Sequence, residues 1–140
     1  MRKIFFPLNI ITLFLLLSSM NNKYPTNEIE NDILGVWKWE AIINSENNEK
    51  EDISMVTNGL ASEVKTEYKK DYTYIEYKNK LQGEEGYSKN EGQWKLEKKG
   101  TILSHNSKGK WRPSKIFKLT KDTLLIGMRG PIQLLMIKEK

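Results

Sequence analysis

From Trp37 to Leu96 apolar residues recur at every second position in short runs separated by polar or glycine-bearing breaks, and the chain finishes with two strongly apolar runs. A repeat of two sends alternate side chains to opposite faces of an extended chain, so each run is set up to bury one face of a β-strand. Trp37, Trp39, Ala41 and Ile43 share one face, with Lys38, Glu40 and, less neatly, Ile42 on the other. Val64, Thr66 and Tyr68 alternate with Lys65, Glu67 and Lys69, and beyond Lys70-Asp71 a second aromatic run covers Tyr72 to Lys78, which predicts a hairpin. Gly92, Trp94 and Leu96 alternate with Gln93, Lys95 and Glu97. Ile53 to Val56, Thr101 to Ser104, Ile116 to Leu119, Thr123 to Met128 and Ile132 to Lys138 complete the set. The breaks are Asn44 to Asp52, Gly83 to Gly86, Lys98 to Gly100, a basic loop holding Gly109 and Pro113, Thr120 to Asp122, and Arg129 to Pro131. About eight short antiparallel strands predict an all-β fold, either a closed up-and-down β-barrel or a β-sandwich, with no amphipathic helix. Closure into a barrel removes the unpaired edges that invite aggregation.

The first twenty residues have a different chemistry. Met1-Arg2-Lys3 is a positive start, Ile4 to Leu17 is almost wholly apolar, and Ser18 to Asn22 turns small and polar, the layout of a secretory signal peptide. An apolar stretch of about 14 residues falls short of the roughly 20 that a spanning helix needs, so cleavage is expected rather than a stable membrane span. The organisation read from the sequence is a signal peptide over 1–20, a flexible linker over 21–32 rich in Asn and Glu, and one β domain over 33–140, exported to a periplasm or the medium. The chain has no cysteine, which removes disulfides, thiolate metal sites and thiol nucleophiles. Loss of Arg2 and Lys3 with the signal takes the net charge from +5 to +3, with Lys and Glu interspersed. That is not the concentrated basic stripe of a nucleic-acid-binding protein. Lys108, Lys110, Arg112, Lys115 and Lys118 form a locally basic stretch and read as a solvated edge.

Gly35-Val36-Trp37, Tyr68-Lys69-Lys70-Asp71-Tyr72-Thr73-Tyr74, Gly92-Gln93-Trp94-Lys95-Leu96 and Phe117-Lys118-Leu119-Thr120-Lys121-Asp122-Thr123-Leu124, in that order and spacing, resemble the bacterial lipocalin-like domain family. These are small exported proteins, often lipoproteins, and the resemblance runs from Leu34 to Lys138. It implies a lipocalin-type barrel whose interior accepts an apolar ligand. It also implies that Trp37, the Trp of Gly-x-Trp, plugs one end of the barrel and packs on a cation near the last strand, Arg129 or Lys138. Two positions depart from the family pattern. Tyr72 stands where a glycine is usual in the hairpin turn, and Met20 stands where lipoproteins carry the lipidated cysteine.

Trp39, Tyr68, Tyr72, Tyr74 and Trp94 are the candidate ligand-binding wall, because aromatic surfaces with a few polar tips suit an apolar or amphipathic molecule. The same residues are equally able to pack an eight-stranded barrel solid. If Tyr72 and Tyr74 point inward, so does Glu76, and an inward acid must be paired, hydrated or functional. Glu76 therefore joins the candidate set. Glycosidase-type catalysis would require a second carboxylate about 5 to 10 Å away. His105, the single histidine, reads as a solvated turn residue, and no Gly-x-Ser-x-Gly elbow presents a serine to it. One histidine and no cysteine predict no transition-metal site. Gly83-Glu84-Glu85-Gly86 carries two acids that would repel a phosphate. No catalytic residue and no cofactor is expected. The expected function is an exported, non-enzymatic binding protein with a small apolar or amphipathic ligand. The alternative is a cell-envelope module with a filled core, which meets an envelope protein through its basic edge and through Leu125, Leu135 and Ile137.

Overall fold

The computed structural model describes residues 26–53, 63–79 and 86–140, so the predicted signal peptide, most of the predicted strand from Ile53 to Val56 and the break at Gly83 lie outside the described residues. A helix, α1 (Thr26–Ile33), precedes nine strands. These are β1 (Gly35–Asn44), β2 (Lys50–Asp52), β3 (Val64–Tyr68), β4 (Thr73–Asn79), β5 (Tyr87–Glu97), β6 (Ile102–Ser107), β7 (Lys110–Leu119), β8 (Thr123–Gly127) and β9 (Ile132–Lys138). Neighbours from β3 to β9 pair antiparallel in chain order, β3 pairs with the first residues of β1, and β9 returns to pair with β1 from Trp37 to Asn44. That last ladder closes an eight-stranded up-and-down barrel and decides against the sandwich. The short β2, expected as loop, pairs with Ala41 to Ile43 and continues along β1 the line that β3 occupies beside Gly35 to Lys38. Among the described residues no helix is long and apolar enough to cross a membrane.

The alternation in β1 slips once. Trp39 is opposite Met136, but Ala41 is opposite Leu135 and Ile42 opposite Leu134. One extra residue on a strand, a β-bulge, reverses which side chains face inward beyond it. Trp37 and Trp39 therefore point into the barrel with Ile42, while Ala41 and Ile43 belong to the other face. This corrects the expectation of one unbroken face and accounts for the untidy Ile42.

Two turns differ in kind from what the sequence suggests. Lys108 and Gly109 sit at φ 54° and 78° between the paired residues Ser107 and Lys110, the two-residue hairpin that matches strand twist. The stretch around Pro113, expected as a basic loop, is therefore strand β7, with Pro113 opposite Ser104. Its fixed φ fits an extended chain at the loss of one donor. In the β3–β4 turn the Tyr72 amide donates to the Lys69 carbonyl at 3.1 Å, and Asp71 Oδ1 accepts from the Thr73 amide at 3.0 Å. Tyr72 takes φ 62°, a left-handed conformation that favours glycine, which explains the residue usual at this turn. Its ring offsets the strain by packing 5.4 Å from the Trp94 ring.

One end of the barrel is filled. Residues 26–33 are helical rather than a flexible linker, because Ile29 and Ile33, four apart, place two apolar side chains on one face of a short helix. Ile33 is fully buried, as are Trp37, Leu103 and Leu124. Aromatic side chains of this size each remove about 150 to 250 Å² from water. Trp37 Nε1 donates to the Ile33 carbonyl at 2.7 Å, and Lys138 Nζ lies 5.0 Å from the centre of the Trp37 ring. Of the two candidate cations Lys138 is the partner. Arg129 belongs to the opposite end, in the turn between β8 and β9.

Candidate functional site

The other end of the barrel is open onto a cavity of about 1130 Å³. Strand register decides what faces it. On β4 the inward row is Tyr74, Glu76 and Lys78, with Tyr77 turned outward to donate a 2.8 Å hydrogen bond to Glu67. Of the two rows open to β4, the one carrying Tyr74 is inside. On β6 and β7 the paired rows are His105 with Arg112 and Ser107 with Lys110. Trp39, Leu134 and Met136 from β1 and β9 supply the apolar wall.

The floor is aromatic. The ring centres of Tyr68 and Tyr74 are 6.5 Å apart, and His105 lies 5.6 Å from Tyr68 and 5.1 Å from Tyr74 in an edge-on contact. Gly92 makes this possible: a Cβ there would come 2.7 Å from Cε1 of Tyr74 and collide with the Asn106 carbonyl oxygen. The indole of Trp39 donates to Thr66 Oγ1 at 2.9 Å, which satisfies the one polar atom of that side chain. Tyr68 Oη and His105 Nε2 are 2.7 Å apart. Burial pushes the imidazole down to about 4 and raises the Tyr68 hydroxyl well above its ordinary value. Burial, then the charge of Glu76, raises Tyr74 as well. The floor is thus uncharged at neutral pH.

The mouth carries charge. Glu76 Oε1 accepts from Lys78 Nζ at 3.0 Å, so that pair cancels. Lys108, Lys110, Arg112 and Arg129 also border the cavity, and among the described residues none of the four has an acidic partner. Among the described residues, no three His, Asp or Glu side chains are grouped to hold a metal ion.

Of the residues singled out from the sequence, Trp39, Tyr68, Tyr74 and Glu76 line the cavity. Trp94 does not. It is buried beneath the floor, 5.6 Å from Tyr68, with its indole N–H donating to the Lys69 carbonyl at 3.0 Å. Tyr72 does not either. It is 48% exposed at the filled end, where its hydroxyl donates to Glu30 Oε2 at 3.3 Å. His105 is a correction in the opposite sense: expected as a solvated turn residue, it forms part of the cavity wall, because β6 extends to Ser107. The basic stretch is corrected too. Lys110 and Arg112 turn to the cavity, whereas Lys115 turns out to lie 4.9 Å from the Phe117 ring. The signal for this was present in the alternation of Lys110, Arg112 and Ser114 with Trp111, Pro113 and Lys115. Pro113 and Gly109 masked it by suggesting a loop.

No family model matches the sequence, and no curated protein does. Among solved structures the chain is similar to a lipocalin-like protein from Bacteroides uniformis ATCC 8492, at 15% identity and a TM-score of 0.57, over 77% of this chain and 99% of that one. It is similar as well to an uncharacterized protein from Bacteroides eggerthii DSM 20697, at 10% identity and a TM-score of 0.56, over 76% and 98% of the two chains. At such identities the likeness is one of fold. The chain has a lipocalin-like barrel of the kind found in these bacterial proteins.

Proposed function

We propose that this chain is an exported, non-enzymatic binding protein that holds a small apolar or amphipathic molecule in the open end of its barrel. The observation that carries this reading is the contrast between the two ends. One is packed with Trp37, Leu103 and Leu124, and the other leaves about 1130 Å³ bounded by Trp39, Tyr68, Tyr74, Leu134 and Met136. Small-molecule sites commonly enclose about 300 to 1,000 Å³ and combine apolar walls with a few polar groups. Glu76 is the one carboxylate among the described residues that line the cavity, and Lys78 neutralises it. Two-carboxylate chemistry would need a second acid beside it, and the described lining supplies none. Export rests on the charged start, apolar stretch and polar ending of residues 1–20.

The interaction-module reading has one observation on its side. Leu125 and Leu135 are cross-strand partners on the outer face, and Ile137 beside them is 37% exposed. Leu125 and Leu135 are themselves half-buried, so the patch is narrow, and scattered exposed apolar residues are ordinary on protein surfaces.

The test is native mass spectrometry of the protein expressed with its first twenty residues and purified from the export compartment of its host. The expected result is a reproducible extra mass that vanishes on denaturation. A bare mass that stays unchanged after exposure to fatty acids and fatty alcohols would overturn the reading.

A further inference from the structure

The two halves of the cavity differ in what they can solvate. Deep in the barrel Trp39, Leu134 and Met136 face an uncharged aromatic floor, while the mouth holds four cations with no acidic partner among the described residues. An apolar ligand would leave those charges unanswered. Arg112 is set deeper than the other three: it stands opposite His105 on the inward row, close enough to Tyr74 for its charge to act on that hydroxyl. Ser107 lines the cavity beside Tyr74, and its strand partner is Lys110. A guanidinium, an ammonium and two hydroxyls therefore border the same side of the cavity, on β4, β6 and β7. A guanidinium offers paired donors that match the two oxygens of a carboxylate or phosphate.

We propose that the ligand is an anionic amphiphile, its apolar chain against Trp39, Leu134 and Met136 and its carboxylate or phosphate held at the mouth by Arg112 and Lys110 beside the hydroxyls of Tyr74 and Ser107. This rests on the binding reading above and adds the charge and orientation of the ligand. The charge of Glu76 also reaches the Tyr74 hydroxyl and works against an anion there, and Lys78, which holds that carboxylate at 3.0 Å, offsets it. The floor would not receive the head group, since a cation is absent there and burial keeps His105 neutral.

The probes are palmitate, 1-hexadecanol, hexadecylamine and hexadecyl phosphate, titrated into the full mature chain and followed by calorimetry. Palmitate and hexadecyl phosphate should bind at least about tenfold tighter than hexadecanol, as one charge-assisted contact implies. That preference should shrink as salt is raised. Arg112→Gln with Lys110→Gln should bring palmitate down to the affinity of hexadecanol. Lys115→Gln, on the outward row of the same strand, should leave the preference intact. Inorganic phosphate should not displace hexadecyl phosphate; equal competition would mean an anion site without a place for the chain, and would overturn the proposal. Equal binding of palmitate and hexadecanol, or a preference for hexadecylamine, would overturn it while leaving the binding-protein reading in place. Failure of every probe to bind would remove both.

Discussion

Lys138 Nζ stands 5.0 Å from the centre of the Trp37 ring and donates a 2.8 Å hydrogen bond to the Asp32 carbonyl, so one side chain joins the last strand, the first strand and α1. The two residues are also Cα partners across the ladder that closes the barrel. A cation over an indole face contributes about 0.5 to 2 kcal/mol, and the carbonyl lies at the negative end of a helix, where a cation is favoured. Lys138→Met, which keeps the length of the stem, should cost about 1 to 2 kcal/mol in urea denaturation. Trp37→Leu in the same background should show the two residues to be coupled. An unchanged urea midpoint for Lys138→Met would contradict this account of the seam.

The neutral histidine in the cavity wall makes stability fall on the acid side. Burial sets His105 to about 4 from an ordinary 6.5. Between those values the unfolded chain binds a proton that the folded chain refuses, so stability is complete above pH 6.5 and declines as pH falls towards 4. The full window corresponds to about 3 to 4 kcal/mol. Asp71, Asp122 and Glu97, held low by hydroxyl hydrogen bonds, titrate on the acid side as well. The difference between the wild type and His105→Gln isolates the imidazole. Thermal melts from pH 7.5 to 4.5 should show a shallower loss for the variant; parallel curves would mean that His105 charges freely in the fold.

Gly92→Ala should be among the most damaging single-methyl changes in this chain. Its Cβ would meet the Tyr74 ring at 2.7 Å and the Asn106 carbonyl oxygen, neither of which moves cheaply inside a paired sheet. Overpacking of this sort costs about 1 to 3 kcal/mol. Displacement of Tyr74 should also weaken any ligand held on the floor. Denaturation and palmitate titration of the same variant test both. Wild-type values in the two assays would show that the ring has room to turn.

Gly100 tests the attachment of α1. It is buried at φ 82°, and a Cβ there would come 2.7 Å from Cδ1 of Ile29. An alanine in this conformation is strained by about 1 kcal/mol, and the contact would lift the helix from the end of the barrel. Hydrogen exchange should find α1 less protected in Gly100→Ala while β3 to β9 are unchanged. Equal protection of α1 would show that Ile29 alone absorbs the methyl.

The strands were legible because their signal is local. Tyr74, Glu76 and Lys78 point the same way whatever surrounds them, and so do Lys110, Arg112 and Ser114, once the chain is known to be extended. The resemblance carried by Gly35-Val36-Trp37 led further, to a plug at Trp37 with Lys138 as one of two candidate cations. The helix at Thr26–Ile33 escaped notice because two turns with Ile29 and Ile33 as their apolar residues make no visible period. Its stability comes from Trp37, Gly100 and Lys138, residues remote along the chain.

Alternation by itself determined a β protein with its aromatics set in rows, since side-chain direction in a strand depends only on position along it, and it left open which row of β4 faces inward. It could not say where alternation slips, and the slip after Trp39 exchanged Ile42 for Ala41 and Ile43 on the inward face. Nor could it say which aromatics fill the barrel and which bound a space. Trp94 and Trp39 have the same local pattern, yet Trp94 is buried under Tyr68 and Trp39 faces the cavity. Height along the barrel depends on closure of β9 onto β1, on the stagger of every strand between them and on the helix across one end. Those are sums over the whole chain, and only the tertiary structure decided them.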